Sequence, residues 1–245
     1  MDATATPHTY RSVAAVVFDM DGVLISSEEL WDRVRRDLVE QVGGSWSRDA
    51  HVRMMGMNTA EWTGYMHAQL GVPMDPGGIR DEVVARLAEL YRARPPLLPG
   101  AVEAVRALAG SWPLGLASSS PQELIAVVLD AAGIAGAFAV ALSSEAVERG
   151  KPQPDVYIEV LRRMGAAPAA AVAVEDSGSG LRAASAAGMR VIAIPNPHYP
   201  PPPDALALAD LVLPDATALT PAAVQGLSPG GRPSPPPLRG GAPGA

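Results

Sequence analysis

The chain has no cysteine. Disulfides and thiolate chemistry are therefore excluded, which is compatible with a reducing compartment. Aromatic residues are scarce as well, at 4% of 245 residues with two Phe, so alanine has to fill much of the core that a 48% apolar fraction can build. No apolar run approaches the ~20 residues that span a bilayer, and residues 1–12 lack the charged-then-apolar pattern of a secretory signal. Positive charge is in deficit. Against 26 Asp and Glu stand 19 Lys and Arg, for a net charge of -7 and a pI near 5.1. That leaves no general basic field for nucleic acid or an anionic membrane, so an anionic ligand has to be drawn by a local site. His8, His51, His67 and His198 are scattered without ligand spacing and read as ordinary surface residues. There is no internal repeat. The expectation is a cytoplasmic protein, monomer or homodimer, with a small-molecule partner and neither nucleic acid nor membrane.

What is present is chemistry concentrated in four short stretches: Asp19-Met20-Asp21-Gly22, Ser118, Lys151-Pro152 and Glu175-Asp176. Asp19 and Asp21 follow the apolar run 13–18, a candidate buried strand. Open α/β sheets place ligand-binding residues just past strand carboxyl ends. Two carboxylates there repel, which favours a divalent cation between them. A carboxylate can attack phosphorus to give an aspartyl-phosphate, the role assigned to Asp19. Asp21, two residues on, is placed to protonate the leaving oxygen and then deprotonate water. Gly22 allows a sharp turn. An EF-hand loop is excluded, because Val23, Leu24 and Leu30 occupy its remaining key positions.

The second stretch follows the candidate strand 113–118. Ser118, at its end, is the candidate to hydrogen-bond a phosphate oxygen, with Ser119 beside it; Ser120, Pro121 and Glu123 read as a capping box opening a helix. Lys151, between Gly150 and Pro152, is suited to neutralise the nucleophile and the transferring phosphoryl oxygens. Glu175 and Asp176 follow the apolar run 170–174, and oxygen-only ligands at a strand end suit magnesium. Each stretch alone has a bland reading, such as a solvated turn or an acidic helix start. Together, in this order, they make a kit for phosphoryl transfer.

Strand-like and helical runs alternate after Leu98, predicting a doubly wound parallel α/β sheet. Candidate strands are 13–18, 113–118, 139–142, 170–174, 190–194 and 211–213; candidate helices are 100–110, 121–132, 155–165 and 179–187. Residues 26 to about 95 show helical periodicity only, with helices over 28–42, 59–70 (capped by Asn58 with Glu61) and 81–92. The expected division is a catalytic core of 1–25 and 97–226, a helical cap of 26–96 hinged near Ser26-Ser27 and 95–99, and a disordered Pro/Gly-rich tail of 227–245. Closure of such a cap excludes water and positions substrate. Within it Arg53 and Asn58 flank Met54, Met55, Gly56 and Met57, and are the candidate polar substrate contacts; the methionines also fit as core filler. Residues 200–203 read as a rigid polyproline connector.

The stretches Phe18-Asp19-Met20-Asp21-Gly22-Val23-Leu24, Ala117-Ser118-Ser119-Ser120-Pro121, Gly150-Lys151-Pro152-Gln153-Pro154-Asp155-Val156-Tyr157 and Val174-Glu175-Asp176-Ser177 resemble the haloacid dehalogenase-like hydrolases. The likeness is to the branch of small-molecule phosphatases and beta-phosphoglucomutase-like proteins, and runs from Val13 to about Pro197. The resemblance implies a Rossmann-like core with an inserted helical cap. It implies Asp19 as nucleophile, Asp21 as acid/base, and Ser118 and Lys151 as phosphate ligands. It also implies Mg2+ held by Asp19, the Asp21 carbonyl, Asp176 and, directly or through water, Glu175. The family's substrate-contacting cap loop falls at Arg53 to Asn58. Ser26 stands where relatives usually carry Asp, and Ser179 where they often carry Asn. Trp31 stands where the sugar-phosphate mutases share a His. The resulting expectation is a Mg2+-dependent phosphatase of a small phosphorylated metabolite. A sugar phosphomutase and a non-catalytic phosphometabolite-binding protein remain the alternatives.

Overall fold

The apolar run before Asp19 becomes an interior strand of a parallel sheet. The computed structural model describes residues 13–227. Among them six strands, β1 (Ala15–Phe18), β2 (Leu114–Ser118), β3 (Phe138–Ser143), β4 (Ala171–Glu175), β5 (Arg190–Ala193) and β6 (Leu211–Val212), form one sheet in the order β3-β2-β1-β4-β5-β6. Every neighbouring pair is parallel. Interior strands of such a sheet are buried on both faces and read as continuous apolar runs, as β1 and β4 do. Alternate residues point to opposite faces. Val16, Phe18, Leu116 and Val174 join one core, together with residues of helices α5 (Ala101–Ala109) and α6 (Gln122–Ala131). Ala15, Val17, Ala171 and Ala173 join the other, with α7 (Asp155–Met164) and α8 (Gly178–Ala186). Small residues on this second face bring those helices close. The fold is the doubly wound α/β class expected.

Five helices lie between β1 and β2, and the first four, α1 (Glu28–Gln41), α2 (Ala50–Met54), α3 (Thr59–Ala68) and α4 (Pro76–Ala93), form the insert that precedes α5. The two chain segments that lead into and out of them run side by side: Ser26 N–H donates to the Pro96 carbonyl at 2.8 Å, and Leu98 N–H to that of Leu24 at 2.9 Å. The α4 helix packs on α6 and on α3. Short helices α9 (Pro203–Leu206) and α10 (Pro221–Gln225) complete the set.

Several boundaries differ from expectation. The α4 helix begins at Pro76 rather than 81, because Asp75 accepts from Gly78 N–H at 3.1 Å and Pro76 fits the first turn. Two glycines after that proline hide the start in sequence. The α2 helix, one turn long, had no periodic signal. Residues 200–203, expected as a rigid connector, do not all lie between elements, since Pro203 opens α9. Leu227, assigned to the tail, is buried in the core, and the Arg190 guanidinium donates to its carbonyl. Residues 228–245, and with them the rest of the expected tail, lie outside the described residues, as do 1–12 with His8. No helix among the described residues is long and apolar enough to cross a membrane.

Candidate active site

Asp19 stands just past the end of β1, Ser118 ends β2 and Glu175 ends β4. All three gather at the carboxyl edge, where the strand order reverses between β1 and β4, the usual place for a ligand crevice in such sheets. The chain leaves β1 through a tight loop in which Gly22, at φ +79°, donates its N–H to the Ile25 carbonyl at 2.7 Å. A Cβ on Gly22 would stand 1.9 Å from Asp176 Oδ2. Only glycine lets Asp176 come this close. Gly180 does the same for Glu175, whose Oε1 lies 1.9 Å from where a Cβ would be.

Lys151 ties the strand ends together. Its Nζ donates to Asp19 Oδ1 at 2.7 Å, Glu175 Oε1 at 2.6 Å and the Ala117 carbonyl at 3.0 Å. All three ammonium donors are thereby used in a side chain only 3% exposed. Burial works against the charged amine, but Asp19 and Glu175 outweigh it and hold Lys151 above its ordinary value. The same oxygen of Glu175 accepts from Tyr157 Oη at 2.7 Å, and its other oxygen from Asp176 N–H at 3.2 Å and Ser177 Oγ at 3.2 Å. Glu175 is fully buried and fixed from every side. Burial, first, and then Glu175 and Asp21 push the Asp19 carboxyl up to about 8, against the pull of Lys151. Burial, then Glu175 and Asp19, raise Asp176.

Asp19, Glu175 and Asp176 each offer one oxygen, all within 4.8 Å of one another. Two buried carboxylates and a partly buried third against one lysine leave an excess of negative charge that a cation would relieve. An all-oxygen set of this kind suits a hard divalent ion such as Mg2+. The carboxylate of Asp21 is not in the group. It accepts from Ser27 Oγ, from Ser120 Oγ at 2.7 Å and from Ser118 Oγ at 3.3 Å. Ser120 is thus not the helix cap that its local pattern predicts. Pro121 takes the cap position of α6 with no side-chain bond, because the Ser120 hydroxyl is turned towards Asp21 instead.

Above these groups lies a cavity of about 540 Å³. Asp19, Asp21, Lys151, Asp176 and Ser119 face it from the sheet, and Glu28, Trp31, Arg35 and Trp62 from the helical insert. Met54, Met55 and Met57 line it, Met54 and Met57 also packing into the core, and the segment Tyr199 to Pro202, which overlaps the connector expected over 200–203, forms one wall. Ser118 is fully buried beneath it. Arg53 and Asn58 do not reach it. Arg53 is exposed and pairs with Asp49 one turn back at 2.5 Å, and Asn58 closes a capping box with Glu61. Nor is His51 a plain surface residue: Nδ1 lies 3.3 Å from Asp32 Oδ1, and the ring meets Tyr199 at 6.0 Å. Sequence reasoning passed over Ser27, Tyr157, Arg35 and Trp62. Tyr157 sat within a motif already singled out; the other three reach the site only through packing of the insert.

A family model described as haloacid dehalogenase-like hydrolase matches residues 13–188. The chain is 37% identical over 220 residues to hexitol phosphatase B of Escherichia coli (strain K12), covering 86% of this chain and 96% of that protein. It is 31% identical over 179 residues to a phosphorylated carbohydrates phosphatase of Thermotoga maritima, covering 73% and 83%. The crystal structure of CbbY from Rhodobacter sphaeroides in complex with phosphate superposes with a TM-score of 0.77 at 27% identity, over 87% of this chain and 99% of that one. This chain belongs to the haloacid dehalogenase-like hydrolases, and among them it is a phosphoric monoester hydrolase.

Proposed function

We propose that the protein is a Mg2+-dependent phosphatase of a small phosphorylated sugar or polyol, working through an aspartyl-phosphate on Asp19. The observation that carries this reading is the Asp19 carboxylate at the cavity floor, with Lys151 on one oxygen and Asp21 and Asp176 beside it. Lys151 fixes Oδ1 and leaves Oδ2 for attack. A bond forms between that oxygen and phosphorus as the ester bond breaks, and the departing alkoxide takes the proton of Asp21. Water then attacks phosphorus, gives its proton to Asp21, and frees Asp19 as a carboxylate. Ser118 and Ser119 serve the phosphoryl oxygens, for which Ser118 turns its hydroxyl away from Asp21, while Lys151, its donors held by Asp19, Glu175 and the Ala117 carbonyl, neutralises their charge through space. Asp19, Asp176, the Asp21 carbonyl and Glu175, directly or through water, would hold Mg2+, which when bound neutralises charge on the phosphoryl group. Residues 26–96 act as the cap that keeps bulk water from the intermediate.

The names of the hexitol and carbohydrate phosphatases among its relatives support a sugar or polyol ester. Trp31 faces the cavity where the mutases carry a His, which disfavours return of the phosphoryl group to a sugar. The test is phosphate release from p-nitrophenyl phosphate and a panel of sugar, polyol, glycolate and nucleotide monophosphates. Wild type and Asp19→Asn are compared with Mg2+ or EDTA. Release that needs Mg2+ and vanishes in Asp19→Asn is expected. Turnover retained by that variant sinks the nucleophile assignment, and release unaffected by EDTA sinks the metal.

A further inference from the structure

Arg35 is a buried cation facing the cavity with part of its donor set unmet. It lies on α1, seven residues after Glu28 and so on the same helix face. The residue is 8% exposed. Its guanidinium carbon stands 4.4 Å from the Trp31 ring centroid and 4.8 Å from that of Trp62, and the two indoles meet edge to face at 5.9 Å. Cation–π contacts of this kind hold a guanidinium in place but accept none of its N–H groups. Nε is buried without an acceptor, while Glu28, Asp32 and Asp21 act on the charge through space. A buried guanidinium is costly until acceptors meet its donors. The cavity that Arg35 shares with Asp19 and Asp21 is where they would come from.

We propose that Arg35, clamped by Trp31 and Trp62 and acting with Glu28, is the specificity-determining contact for the hydroxyl-bearing chain of the substrate, so that the protein selects phosphates of polyhydroxylated compounds. The proposal rests on the phosphatase reading above and names its substrate class. Glu28 decides between a hydroxyl and an anion as the group recognised. It faces the same cavity, and its carboxyl oxygens beside Arg35 call for a donor, which an oxyanion does not supply. A hydroxyl accepts from Arg35 and donates to Glu28, satisfying both. The indoles offer apolar surface to the carbon skeleton between hydroxyls. A site built to hydrogen-bond a substrate hydroxyl rejects analogues that lack it, because its own polar groups are then left unpaired.

The test compares kcat and KM of wild type, Arg35→Met, Arg35→Lys and Glu28→Gln. The substrates are a hexitol phosphate, p-nitrophenyl phosphate and a phosphate ester with a distal carboxylate. Calorimetry of hexitol phosphate binding to Asp19→Asn, with and without Arg35→Met, reads the contact independently of turnover. Arg35→Met is expected to lower kcat/KM on the hexitol phosphate by roughly tenfold to a hundredfold. The loss falls mainly in KM, exceeds that on p-nitrophenyl phosphate by about tenfold, and is matched by weaker binding. Glu28→Gln, which leaves the Arg–Trp stack intact, should show the same selectivity. Equal losses on both esters, or unchanged binding, overturn the proposal in favour of a structural role. A wild-type preference for the carboxylate ester that Arg35→Met abolishes overturns it in favour of an oxyanion pocket. Hexitol phosphate that binds through Arg35 but is never hydrolysed overturns the phosphatase reading and leaves the contact standing.

Discussion

At the scale of single residues, the centre of the site is an electrostatic network in which Lys151 and Glu175 are each held by named partners. Lys151 stays cationic because Asp19 and Glu175 both lie within 2.7 Å of its ammonium. Glu175 stays fixed because Tyr157, Ser177 and the Asp176 backbone occupy its oxygens. Asp176 fits only because Gly22 has no side chain. Gly22→Ala forces a Cβ into the Asp176 carboxylate and strains a positive φ. Metal affinity measured by calorimetry is therefore expected to fall on the order of 10- to 100-fold, as for lost support of a ligand. Unchanged affinity would remove Asp176 from the metal set. Asp19, Asp21, Lys151 and Asp176 were legible in sequence because each sits in a short motif tied to a strand end or a stiff turn. Ser120 was misread for an equally local reason: Ser-Pro-x-Glu is a sound capping pattern, but a carboxylate 99 residues away in sequence takes the hydroxyl.

At the scale of elements, caps and prolines set the ends of the insert's helices. In α3, Asn58 Oδ1 accepts from Glu61 N–H at 3.0 Å while Glu61 accepts from Asn58 N–H at 2.9 Å. Both donors would otherwise be left open at the helix start. Asn58→Ala is expected to lower stability by about 1 kcal/mol in denaturant titration. It should leave kcat/KM nearly unchanged, because Asn58 stands outside the cavity. A large fall in kcat/KM at wild-type stability would restore it as a substrate contact. The α3 cap was legible because its signal is complete within four residues. The start of α4 was not, since glycines at 77 and 78 mask a helix that owes its first turn to Asp75 and its hold to packing on α6.

At the scale of the whole molecule, the insert closes against the sheet layer through polar contacts as well as through the α4–α6 packing. Arg80 reaches Glu123 at 3.0 Å and Glu145 at 3.1 Å, and Thr59 reaches Glu145 at 2.6 Å. Asp19 and Glu175 are buried, and burial of acids that a cation would hold links its binding to global stability. With Asp19 raised from 3.8 to about 8, the metal-free fold keeps a proton that the unfolded chain has released across that window. Its stability therefore falls as pH rises through it. A bound cation requires the ionised carboxylate and displaces that proton. The gain in Tm on adding Mg2+ is therefore expected to be larger at about pH 8 than at about pH 6. Scanning fluorimetry across that range checks it, and an equal gain at both ends would refute the linkage.

The sequence by itself determined the parallel α/β sheet, the order of its strands along the chain, and four acids and a lysine beside strand ends or a stiff turn. Those features depend on local periodicity and on short motifs, which the chain spells out residue by residue. Only the tertiary structure decided what surrounds them: serines on Asp21, a tyrosine on Glu175, glycines admitting the carboxylates, and Arg35 between two tryptophans from different helices. These contacts join residues far apart in sequence, and their geometry depends on how the insert packs over the sheet, for which no local pattern carries a signal.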